Sequence, residues 1–190
     1  MTNASTPAVA RTAAFSTATI AVLGSTVLAV DNALGFIDFH LLGFGMAPFI
    51  AAAVVLSGAV CAGLAVWTHD LARGIAAAAV VGFVLTQSPA LAPTLWFPVS
   101  IVLQGLVPLG FATSAAITWR SSTGGLRTLP AIAAVLAVGW AIGAFIPLRL
   151  EVFLALQAMT ILAVSVLVTS PWLRRIANHV RTLWDSAAIR

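Results

Sequence analysis

Long apolar runs separated by short polar or turn-forming segments occupy most of this chain. Six of them, at 13–30, 41–67, 72–91, 95–119, 129–148 and 150–170, approach the roughly 20 residues that a helix needs to cross a hydrocarbon layer. A helix satisfies its own backbone donors and acceptors in lipid, so the pattern predicts an all-α, polytopic transmembrane bundle of about six spans. The breaks carry charge or turn formers: 68–71 with Arg73 just beyond, the proline-punctuated 88–94, the loop 120–128 with Gly124 and Gly125, and the corner Pro147, Leu148, Arg149. Such short connections make consecutive helices antiparallel neighbours.

After Pro171 the pattern changes. Trp172, Ile176, Val180, Leu183, Trp184 and Ala187 recur at helical spacing, with Arg174, Arg175, Asn178, Arg181 and Asp185 on the other side. This predicts a C-terminal amphipathic interfacial helix whose arginines favour anionic headgroups. The chain thus divides into a single transmembrane domain, 1–170, and a cytoplasmic amphipathic tail, 171–190.

Composition reinforces the membrane reading. The apolar fraction is 61%, the charged fraction 7% and the mean hydropathy +1.09, whereas a soluble domain needs about a quarter charged residues. The net charge of +4 comes from arginine alone, without lysine, and its placement is topological. Arg11, Arg73, Arg120, Arg127, Arg174, Arg175, Arg181 and Arg190 fall on one side of a six-span arrangement and Arg149 on the other, so the positive-inside rule puts both termini in the cytoplasm. Trp67, Trp96, Trp119 and Trp172 fall at span ends, where indoles prefer to sit, and Trp140 within a span, as a lipid-facing or interhelical packing residue. A second identity for the first run is a signal peptide, with Arg11, an apolar stretch and Val27, Leu28, Ala29 as a small-residue cleavage site. The sole cysteine, Cys61, excludes an intrachain disulfide.

No Asp, Glu, Arg or His lies in the central part of any of the six runs. Proton-coupled pumping and catalysis at membrane depth both need such a group, so neither is expected. The interior feature that stands out is Gln104, near the middle of the fourth run. Pro108, four residues on, cannot donate to its carbonyl and should kink the helix. Gly105, Gly110, Thr113 and Ser114 extend the irregularity, and interrupted helices are where transporters often bind solute. Gln157 and Gln87 are candidate partners for Gln104 or for a ligand. The candidate substrate-binding set is Gln104, Pro108, Gln157 and Thr113. Gly139 and Gly143 form a small-residue pair suited to close helix approach, either to other membrane subunits or in a homo-oligomer.

Outside the bilayer, Asp31, Asp38, His40, Arg149 and Glu151 share the outer side and read as solvated loop charges. His69 and Asp70 with Arg73 read as the cap of the third helix. No catalytic set, metal motif, cofactor or nucleic-acid partner is expected. The expected function is a small permease or solute-binding membrane subunit for a neutral or weakly polar molecule, in a prokaryotic plasma membrane. The alternative is a non-catalytic accessory or assembly subunit of a larger membrane complex.

Overall fold

A computed structural model describes residues 6–35, 41–42, 45–87, 97–122, 127–146 and 148–188, with side chains described except at 6–7, 87, 97–100 and 171–188. Asp38, His40, Gly43, Trp96, Gly124, Gly125, Pro147 and the side chains of Gln87 and the tail therefore lie outside what is described. Six helices follow in order: α1 Thr6–Gly35, α2 Ala47–Thr68, α3 Leu71–Gln87, α4 Phe97–Ser121, α5 Thr128–Gly143 and α6 Leu150–Ala188. Among the described residues there is no strand.

Each helix packs antiparallel on the next, and α1 also packs on α6, so the six close into a ring. Contacts between neighbours fit antiparallel packing: Gly24, late in α1, meets Val54, early in α2; the middles of α2, α3 and α4 meet through Gly58 with Val81 and Gly110 with Ala79; and Gly143, at the end of α5, meets Phe153, near the start of α6. The chain thus traverses the bundle six times. α1, α2, α4 and α6 are long and apolar enough to span a membrane alone. α3 and α5, at 17 and 16 residues, reach only about 25 Å and run between longer neighbours. The fifth run stops short of its expected end at 148 because the backbone turns at Ala144–Ile146.

The outward faces are apolar all round. Phe49, Leu56, Val60, Leu106, Val135, Phe145, Met159 and Leu162 are exposed, a surface that water would reject and lipid accepts. The described side chains buried inside carry no charge; their polar members are Ser25, Ser114, Gln157, Thr160 and Ser165. Three helix pairs are tied by side chains. The Ser114 hydroxyl donates to the Ala72 carbonyl (2.7 Å) across α4 and α3, the Cys61 thiol to that of Ala14 (3.4 Å) across α2 and α1, and the Thr26 and Ser165 hydroxyls bond to each other, closing α1 on α6. Such bonds are the usual glue where apolar burial gives no drive between helices.

The prolines sit where helices tolerate them. Pro48 and Pro130 lie in first turns, where no intrahelical donor is missed. Pro171 lies within α6, which runs on without a break, so the amphipathic tail is helical and continuous with the last span. Pro171 cannot donate to the Leu167 carbonyl; the Ser170 hydroxyl does so instead, at 2.9 Å. The 39 residues of α6 cover about 58 Å, nearly twice a hydrocarbon core.

One end of the ring gathers Arg11, Arg73, Arg120 and Arg127, and the opposite end holds Arg149. At the arginine-rich end α2 turns into α3 through His69, whose left-handed conformation (φ 54°) ends α2. Asp70 then caps α3: one carboxylate oxygen accepts the Arg73 N–H (3.2 Å), and the other pairs with the Arg73 guanidinium (2.9 Å), as the sequence pattern indicated. The same guanidinium lies over the Phe15 ring of α1, 5.7 Å from its centroid. Asp70→Ala removes an N-cap and should lower stability by about 1 kcal/mol, read as the unfolding midpoint in mild detergent. The ion pair is partly exposed and adds little.

Candidate solute site

The core-facing stripe of α4 consists of Gln104, Pro108, Phe111 and Ala115, spaced by four, three and four residues. Pro108, Phe111 and Ala115 are buried, but Gln104 is exposed. Its exposure comes from its level in the bundle. It faces the same way as Pro108, one turn nearer the arginine-poor end. An open depression of about 410 Å3 lies there, lined by Gln104, Gly143, Ala144, Phe145, Leu148 and Phe153, among others. Gln104 thus lines an open vestibule at the arginine-poor end of the bundle. The expectation of a central position gives way because α4 begins at Phe97 and sets Gln104 only about 10 Å from that end.

One turn below the vestibule the core closes. Ala144 of α5 is four residues from Trp140, and Phe153 of α6 is four residues from Gln157. Trp140 is 3% exposed, so of the two roles its sequence position suggested, it takes interhelical packing. The Phe83 ring meets it edge-on (6.1 Å between centroids, 85°), and the Phe111 ring lies nearly parallel to it (6.0 Å, 26°). Three helices thereby place their aromatic side chains in one layer.

Gln157 lies at the same level. Gly139, the residue before Trp140, opposes Leu156, the residue before Gln157. Gln157 is 1% exposed, and neither its Oε1 nor its Nε2 has a hydrogen-bond partner. An unpaired buried amide costs about 1–3 kcal/mol, and both halves of this one are unpaired. That makes it the least satisfied group among the described residues.

The remaining candidates separate. Thr113 is exposed on the outer face of α4 and donates its hydroxyl to the Leu109 carbonyl at 2.8 Å. Gly139 and Gly143 both face α6 of the same chain, Gly139 towards Leu156 (3.6 Å) and Gly143 towards Leu148 and Phe153. Asp31 accepts the Leu42 N–H at 2.9 Å, holding the chain as it returns towards α2. Among the described residues no group of three or more metal-ligating side chains comes together. Gln104 and Pro108 thus share one stripe of α4, Gln157 lies in the core one turn of α6 beyond Phe153, which lines the depression with Gln104, Thr113 points away, and Phe83, Phe111 and Trp140 form a layer of their own. Single-sequence spacing held no signal for that aromatic layer, because its members lie on three separate helices.

Fold and composition define a multi-pass, all-helical membrane bundle. No protein-family model, curated protein or solved structure matches the chain.

Proposed function

We propose that this chain is a small plasma-membrane permease, or the solute-binding subunit of one, for a neutral or weakly polar molecule. The observation that carries the proposal is the unpaired amide of Gln157 beneath an open vestibule. A bundle held together by packing gains nothing from a glutamine whose donors and acceptor both go unused; leucine would serve better there. A solute that pairs with the amide removes the penalty. The arginine-rich end faces the cytoplasm on this reading, so the vestibule with Gln104 opens outward. The Phe83, Phe111 and Trp140 layer then stands between the vestibule and the rest of the bundle, an occluded arrangement between outer and inner access. The uncharged interior suits an uncharged solute, because an ion would find no counter-charge among the buried side chains.

The test uses proteoliposomes and a panel of uncharged solutes: glycerol, urea, uracil and nicotinamide. At least one should equilibrate faster than across protein-free vesicles, and Gln157→Leu should abolish that acceleration. The variant should unfold no earlier than the parent, and by about 1–3 kcal/mol later if the unpaired amide is relieved. Equal rates for parent and variant across the panel would refute the proposal.

A further inference from the structure

We infer that the solute is a flat, uncharged ring carrying a hydrogen-bond donor and acceptor side by side, as in a cyclic amide or a nucleobase. This inference rests on the permease reading above and narrows it. Three features lead to it. The Gln157 amide offers one acceptor and one donor group on a single planar unit, both unpaired. The complementary edge that satisfies both at once is an N–H beside a C=O, which forms two parallel hydrogen bonds. A lone carbonyl would leave the acceptor half of the amide unpaired.

The second feature is aromatic lining. Phe145 and Phe153 line the depression beside Gln104, and the packed Phe83, Phe111 and Trp140 rings close the core beyond it. Flat rings stack on or abut such surfaces, and an aliphatic solute gains no comparable geometric preference. The third feature is charge. Among the described residues the buried polar side chains are three serines, a threonine and Gln157, so a ring with a carboxylate, phosphate or ammonium substituent would be desolvated without compensation. The vestibule, about 410 Å3, falls within the size range of pockets for small organic ligands, and its Gln104 amide can pair with the same edge one turn earlier on the path.

The experiment compares uracil with dimethyluracil methylated on both ring nitrogens, which keeps the flat ring and its carbonyls but removes the donors. Urea and glycerol serve as non-ring controls, with parent protein and Gln157→Leu in proteoliposomes. Uracil should equilibrate roughly tenfold or more faster than dimethyluracil through the parent, a discrimination that a donor–acceptor site readily gives, and Gln157→Leu should erase the difference. Equal rates for uracil and dimethyluracil would overturn the ring-edge inference. So would Gln157-dependent passage of urea or glycerol without uracil, an outcome that leaves the permease reading standing. Rates independent of Gln157 for every solute would overturn both. The comparison between solutes is made on the parent protein, so it does not depend on how well the variant folds.

Discussion

Trp140→Ala is expected to lower the stability of the bundle by about 3 kcal/mol, the low end of the range for removing a large buried aromatic side chain. The low end applies because the unfolded helices already sit in an apolar solvent, so little transfer energy is lost on truncation. What is lost is contact. Trp140 touches both Phe83 of α3 and Phe111 of α4, and its removal leaves a void where three helices meet. Dispersion across that void disappears, since no neighbour can fill it without moving a helix backbone. Trp140→Phe should recover most of the loss, because a phenyl ring can still meet Phe111. Unfolding in mixed detergent micelles, followed by circular dichroism, measures both variants. A Trp140→Ala protein as stable as its parent would show that the aromatic layer does not hold α3, α4 and α5 together.

The fold was legible in the sequence wherever it depends on local pattern. Apolar run length marked the six helices, and arginine placement marked one end of the bundle. The pairing of Asp70 with the third residue after it marked the start of α3. What escaped was everything set by the way helices are ordered in space. The closure of α1 on α6 through Thr26 and Ser165 joins residues far apart in the chain, and no periodicity announces it. For the same reason Gln104 drew attention over Gln157. Both are amides in apolar runs, and Gln104 has the adjacent proline, so a reading along the chain ranks it first. Burial reverses the order. The core-facing stripe of α6, with Phe153, Gln157, Ile161 and Val164, carries its glutamine inside the filled part of the ring. That of α4 carries its own glutamine one turn beyond. The difference depends on where each helix begins, a boundary that hydropathy locates only to within a few residues.

Gly58→Leu is the second large effect expected, with a loss of about 3 kcal/mol or more, whereas Gly63→Leu, five residues along the same helix, should be neutral to within about 0.5 kcal/mol. Both glycines lie in α2 and neither needs a left-handed backbone. A Cβ at 58 would stand 2.7 Å from a Val81 methyl and 3.3 Å from the Ala77 carbonyl oxygen, with Ala21 of α1 at 3.9 Å. The valine can yield by changing rotamer, but the carbonyl is part of the α3 backbone, and α1 closes the remaining side. Any larger side chain must therefore push α3 away from α2. That displacement would also shift Phe83, which sits on α3 against Trp140. A Cβ at 63 would meet nothing within 4 Å, so a leucine there extends into lipid. The paired measurement is the unfolding midpoint of each variant in the same detergent. Equal tolerance at both positions would mean that α2 and α3 are not in close backbone contact at Gly58. A Gly58→Leu protein that folds but has lost Gln157-dependent solute passage would instead link the α2–α3 contact to the aromatic layer.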